Sequence, residues 1–178
     1  LSAMYLSLEN GQLEFVIGPV DERAPKGPDR GHLLLYSEPL VFIPKGDTPI
    51  PGLKSRTISV RALAAETFVM VPDACGLARV TRSLFKRHKV VPKEYSGEAL
   101  SYSVLQEWAA LGIGAAILPQ SKIASNVARS LPIEDKGGGP VTIFYQTSWR
   151  RSEVPEIERF AEDLVRQAPA LLAGLHCA

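Results

Sequence analysis

Short apolar runs bounded by glycine or proline alternate along this chain with segments whose apolar residues recur every three or four positions. This alternation is the tightest constraint on the fold. Strands separated by helices join into a mostly parallel sheet, so the class expected is α/β. The strand-like runs are 13–18, 32–36, 39–44, 67–71, 115–118 and 141–146, with Ser37 and Glu38 as a joint between the second and third. The clearest helix follows residue 76. Leu77, Val80, Thr81, Leu84, Phe85 and His88 share one face, and Arg79, Arg82, Lys86 and Arg87 take the others. A second helix centres on Val104, Leu105, Trp108 and Leu111, where Ser103 and Gln106 have the spacing of a capping box. Met4, Tyr5 and Leu8 mark a helix that stops at Asn10-Gly11, and residues 60–65 read as a short one. Ser152 and Pro155 open a last helix, whose face carries Ile157, Phe160, Leu164 and Val165. Residues 19–31 and 45–54 are rich in proline, glycine and charge, as surface turns are. Gly137-Gly138-Gly139-Pro140 is the most linker-like tetrapeptide.

At 178 residues the chain can form one ordinary domain or two small lobes. A net charge of +1 gives no global pull toward nucleic acid. The two cysteines, Cys75 and Cys177, make neither a disulfide framework nor a metal spacing, and fit a reducing cytoplasm. The most apolar stretch, 109–118, is far shorter than the roughly 20 residues of a membrane span. The first residues carry no basic segment or cleavage signature and no initiator Met, as in a chain entered partway through.

Four segments, in order, carry a family resemblance. Leu8-Glu9-Asn10-Gly11-Gln12-Leu13-Glu14-Phe15-Val16-Ile17-Gly18 resembles the point in LysR-type transcription regulators where a helix ends at Gly and a strand of form G-x-L-D-x-x-I begins, with Glu14 in place of Asp. Leu34 to Ile43 resembles the family's crossover strand. Leu63-Ala64-Ala65-Glu66-Thr67-Phe68-Val69 is similar to D-L-A-x-E-x-F-I. The run Glu107-Trp108-Ala109-Ala110-Leu111-Gly112-Ile113-Gly114-Ala115-Ala116-Ile117-Leu118-Pro119 is similar to V-A-A-G-x-G-I-A-L-L-P, with Leu111 where a small residue is usual. Each match is weak alone; their order from 8 to 119 makes the case.

The resemblance implies the effector-binding domain of such a regulator, truncated at its N-terminus: a first strand and helix and the winged helix-turn-helix that contacts DNA are expected to be missing. It implies a two-lobed fold of the type II periplasmic-binding-protein kind, with two crossover strands. The lobes would be 1–38 with 132–178, and 39–131. A small molecule in the cleft would shift lobe closure by no more than its difference in affinity for the two states. The expected contacts lie at strand ends and helix starts, where N–H groups and the dipole favour anions: Gly18 and Pro19; Asp73, Ala74, Cys75 and Gly76; Ser101, Tyr102 and Ser103. Hydroxyls and N–H donors would suit a carboxylate. The partners implied are this effector and a homodimer or tetramer, with DNA reached only through the missing domain. No cofactor, metal or membrane is implied.

Plainer readings stand beside these. Ser103 is first a helix cap, and Tyr102 serves as well in a core. The basic stripe on the helix after Gly76 is an ordinary solvated face. Cys75 reads as a pocket-lining thiol rather than a redox sensor, because no second cysteine follows that helix closely. His32, His88 and His176 are scattered, and no nucleophile elbow, P-loop or metal constellation occurs, so no reaction is named and an enzyme is not expected. The alternative is an exported solute-binding protein of the same fold.

Overall fold

The computed structural model describes residues 2–20, 30–47, 56–125, 127, 129–151 and 155–175. In chain order the helices and strands are α1 (Ser2–Glu9), β1 (Phe15–Val20), β2 (Arg30–Ile43), β3 (Ile58–Ser59), β4 (Thr67–Met70), α2 (Leu77–Arg87), β5 (Lys93–Glu98), α3 (Tyr102–Ala110), β6 (Ala116–Pro119), β7 (Leu131–Glu134), β8 (Thr142–Arg150) and α4 (Pro155–Leu175). Single 3-10 turns cover Ala62–Ala65, Asp73–Cys75 and Gln120–Lys122. The chain divides into two compact units, 1–37 with 143–178 and 38–142. Strands β2 and β8 each run from one unit into the other.

In the first unit β1 pairs antiparallel with β8, from Phe15 opposite Trp149 to Val20 opposite Phe144. The N-terminal half of β2 lies beside β8: Thr147 donates its hydroxyl to the Leu33 carbonyl at 3.2 Å, and Tyr36 stacks on Tyr145 at 4.4 Å. Gly31 is obligatory here for space alone. A Cβ at that position would lie 2.0 Å from the Trp149 indole, which is 4% exposed and stacks on Phe15. Leu8 of α1 closes a small apolar cluster with Val16 and Tyr5.

In the second unit the C-terminal half of β2 pairs antiparallel with β6 and with β7, and β3 pairs parallel with β7. Strand β4 pairs parallel with β5, and Phe68 forms a parallel bridge with Ala115. Each antiparallel ladder among these involves a strand that runs between units, while the remaining ladders are parallel. The core is built on Phe42, Phe68 and Phe85, with Phe68 lying 6.3 Å from one neighbour and 5.1 Å from the other. Leu63, Leu84, Leu105, Leu118 and Ile133 of the same unit are fully buried as well.

The structure departs from the sequence reading in several places. Residues 30–43 form one strand, not two runs with a joint. Pro39, which has no N–H to donate, sits where β2 changes from one set of neighbours to the other. Strand β1 begins at Phe15 and continues through Gly18 and Pro19 to Val20. The return to the first unit falls at 143 instead of 132, because β7 pairs with β2 and β3 and the Val141 carbonyl accepts from the Leu40 amide, all inside the second unit. Strand β5, Lys-Glu-Tyr-Ser-Gly-Glu, escaped the reading because its residues are largely exposed and give no apolar alternation. The buried face of α4 includes Ala161 and Ala168, while Phe160 is exposed and touches Phe15 edge-on. Pro155 is the first residue of α4; Ser152 lies outside the described residues. No helix among the described residues is long and apolar enough to cross a membrane.

Candidate functional site

Seven of the nine candidate residues belong to the second unit, at the starts of α2 and α3. Strand β4 is buried to Met70, and Val71-Pro72 then lead into the Asp73–Cys75 turn. Within that turn the Cys75 amide donates to the Pro72 carbonyl at 2.9 Å and the Gly76 amide to the Asp73 carbonyl at 3.1 Å. Gly76 then takes φ 81°, ψ −25°, a left-handed conformation that a side chain would disfavour. It enters α2 with no side-chain cap. The opening amides of that helix, Leu77 and Ala78, have no intrahelical acceptor, as in any first turn.

Helix α3 begins differently. Ser101 is extended at φ −147°, ψ 164°, and its Oγ accepts from the Val104 amide at 3.2 Å. The cap is thus Ser101 and not Ser103, and the box expected between Ser103 and Gln106 does not form. Gln106 turns inward instead. It is 8% exposed, donates to the carbonyls of Tyr102 at 3.0 Å and Lys122 at 3.1 Å, and accepts from the Ala124 amide at 2.8 Å. A buried amide must find partners for both its ends, and these three supply them.

The two helix starts meet where Cys75 Sγ lies 3.1 Å from the Tyr102 hydroxyl. Asp73, Ala74 and Cys75 are exposed, Tyr102 half-buried. Ser103 is directed elsewhere. It lines a concavity of about 430 Å3 with Gln106, Glu107 and Ala110 of α3, Pro44 and Asp47 after β2, and Val127 and Arg129, a lining that includes none of residues 73–76. In the first unit Gly18 and Pro19 lie inside β1, opposite Gln146 and Tyr145. Pro19 suits a strand at the end of the sheet order, where a missing N–H costs no ladder bond.

Sequence reasoning missed the charged residues behind the first of these turns. Arg82 of α2 donates from Nε and Nη2 to both carboxylate oxygens of Glu94 in β5, at 2.9 and 2.8 Å, and from Nη1 to Asp73. Hydrogen bonding to Glu94, with Asp73 beside it, raises the Arg82 pKa further above its ordinary value. The Arg82 bond in turn holds the Glu94 carboxyl below its usual range, against the desolvation that opposes it. At the other end of α2, His88 is 5% exposed and its Nε2 lies 2.9 Å from an Asp135 oxygen. Burial pushes its pKa below the ordinary value, and the Asp135 charge opposes that only in part. Glu38 is held by Ser121, through the amide at 2.7 Å and the hydroxyl at 2.9 Å. Among the described residues no group of His, Cys, Asp and Glu is arranged to hold a metal. The groups assembled at the two helix starts are a thiol, hydroxyls, backbone amides and an ion cluster, a set suited to hydrogen-bonding a polar ligand.

Comparisons with known proteins bear on which family this is. A search of curated proteins finds no match. Among solved structures, the effector binding domain of a BenM variant superposes with a TM-score of 0.73 at 18% identity, covering 97% of this chain and 78% of that one. The Synechocystis PCC6803 CcmR regulatory domain in complex with 2-PG gives 0.66 at 24%, covering 93% and 78%. The effector binding domain of QuiR in complex with shikimate gives 0.66 at 19%, covering 94% and 78%. At these identities the likeness establishes the fold, a type II periplasmic-binding-protein-like one. The family profile of the LysR substrate binding domain matches residues 3–169, nearly the whole chain, and the chain belongs to that family.

Proposed function

We propose that this chain is the effector-sensing part of a LysR-type transcription regulator, and that a small carboxylate-bearing molecule engages the 73–76 turn and the start of α3. The observation that carries the reading is the contact between Cys75 and Tyr102 at 3.1 Å, which sets two helix N-termini side by side. Their first-turn amides and the Tyr102 hydroxyl favour an anion. Family membership supports a sensing domain over the alternative of an exported solute-binding protein. The relatives CcmR and QuiR hold 2-PG and shikimate, the second a hydroxylated carboxylate, which supports the ligand class. In this proposal Ser103, which lines a separate concavity, stands apart from the ligand. Cys75 is a lining thiol; its near neighbour is a phenol, and Cys177 lies outside the described residues. DNA contact and assembly into dimers or tetramers belong to the whole regulator. The domain itself binds its effector and releases it unchanged.

Thermal unfolding against a panel of small carboxylates, shikimate and 2-PG included, tests the reading. A ligand at a hundredfold its Kd stabilises the folded state by about 2.7 kcal/mol, a readily measured shift. Ser101→Ala would confuse the test by removing the α3 cap. Tyr102→Phe is the cleaner variant: it deletes one hydroxyl and should weaken a confirmed ligand five- to tenfold, read by calorimetry, with the unfolding temperature of the free protein little changed. Equal affinity in wild type and Tyr102→Phe would remove this turn pair from the binding site.

A further inference from the structure

We propose that Arg82 is the positioning residue of the Asp73–Cys75 turn, a role distinct from that of the solvated helix face on which it lies; the inference rests on the effector reading above. The turn is short and exposed, and the Cys75 and Gly76 amides close within it, on the carbonyls of Pro72 and Asp73. Side-chain contacts tie it outward, Cys75 to Tyr102 on one side and Asp73 to Arg82 on the other. Arg82 is itself fixed, because both oxygens of Glu94 accept from it. A planar guanidinium with its donors in a rigid fork transmits that geometry, as a lysine ammonium could not.

The consequence reaches the second helix start as well. Strand β5, which carries Glu94, ends at Glu98, three residues before the Ser101 cap. Arg82 therefore fastens the 73–75 turn to the strand that leads into α3, while Cys75 and Tyr102 fasten the same two segments at their tips. Charge favours the arrangement. One cation lies between two carboxylates, and without it Asp73 and Glu94 repel and drive the turn away from β5. Exposed ion pairs add little to global stability, so the effect of losing this one is local.

Amide hydrogen exchange, resolved by NMR on the free chain, tests this without a ligand. Arg82→Ala should speed exchange at Cys75 and Gly76 at least fivefold and leave the Val69 amide, bonded to the Ala115 carbonyl at 2.9 Å, unchanged. Arg82→Lys should recover only part of the protection, and Glu94→Gln should give a smaller rise of about twofold. Unchanged exchange at Cys75 and Gly76 in Arg82→Ala overturns the proposal, and so does an equal rise at Val69, which would mark a general loss of stability. Calorimetry with a carboxylate that binds the wild type completes the test: affinity should fall at least fivefold in Arg82→Ala, and an unchanged affinity overturns the positioning role. Failure of the effector reading looks different, since no carboxylate of the panel would then shift wild-type unfolding while the exchange pattern still reported the clamp.

Discussion

Helices α2 and α3 start side by side in one unit, and they are built by opposite means. Helix α3 is capped locally, by the hydroxyl of Ser101 on an amide three residues ahead. Helix α2 has no side-chain cap; a glycine in the left-handed region leads into it, and its approach is held by an arginine nine residues beyond Asp73 that also grips a strand. A local cap needs only the right residue at the right spacing. The clamp needs three elements already folded, so it reports on their arrangement. The pair teaches that equivalent positions in a fold can be rigid for different reasons and will yield to different perturbations.

The largest perturbation should abolish the contrast. Phe68 lies wholly buried on β4, between Phe42 and Phe85 of α2, and α3 packs on the same strand. Phe68→Ala should cost about 3–5 kcal/mol in denaturant unfolding and loosen both helix starts together. Loosening of one alone would mean that they do not share this core. Ser101→Ala should cost about 1 kcal/mol and fray α3 only, with Ser101→Thr close to wild type. An equal loss of protection at Cys75 and Gly76 would contradict the separation. The smallest effect is set by pH. Glu94 is held below its ordinary value of 4.5, so its contribution is complete above that pH and is lost as pH falls through the lower folded value. Acid titration followed by unfolding should show the second unit of Glu94→Gln losing less stability below pH 4.5 than wild type. Identical acid limbs would show that the clamp carries no linkage.

How far the sequence reached can be judged from the same residues. Helices α2 and α3 were legible because their apolar positions repeat at the helical period, and strand β4 because its apolar, β-rich residues run together as in a buried strand; their alternation gave the α/β class. Strand β5 was not, since Lys93 to Glu98 present mostly polar, exposed side chains and leave the pairing to the backbone. Of the three places nominated from strand and helix order, two lie in the second unit and are in contact through Cys75 and Tyr102. Which serine caps could not be read: Ser101 and Ser103 flank the first residue of the helix, and Gln106, whose spacing favoured Ser103, is recruited by carbonyls and an amide up to eighteen residues away. Arg82 was indistinguishable from Arg79 or Lys86 along a solvated stripe. Its partners lie nine and twelve residues off, a distance over which charge patterns carry no register.

The packing of Trp149 against Gly31 has a spectroscopic consequence. The chain holds two tryptophans, and the fold assigns one to each unit: Trp149 to the first, Trp108 to the second. Their surroundings differ, a buried indole stacked on Phe15 against a half-buried one meeting Tyr95 edge-on at 6.0 Å. A single Trp108→Phe exchange would leave an intrinsic fluorophore that watches the first unit alone, and Trp149→Phe one that watches the second. Each half of the molecule thus carries its own lamp, and the two can be followed in turn without an added label.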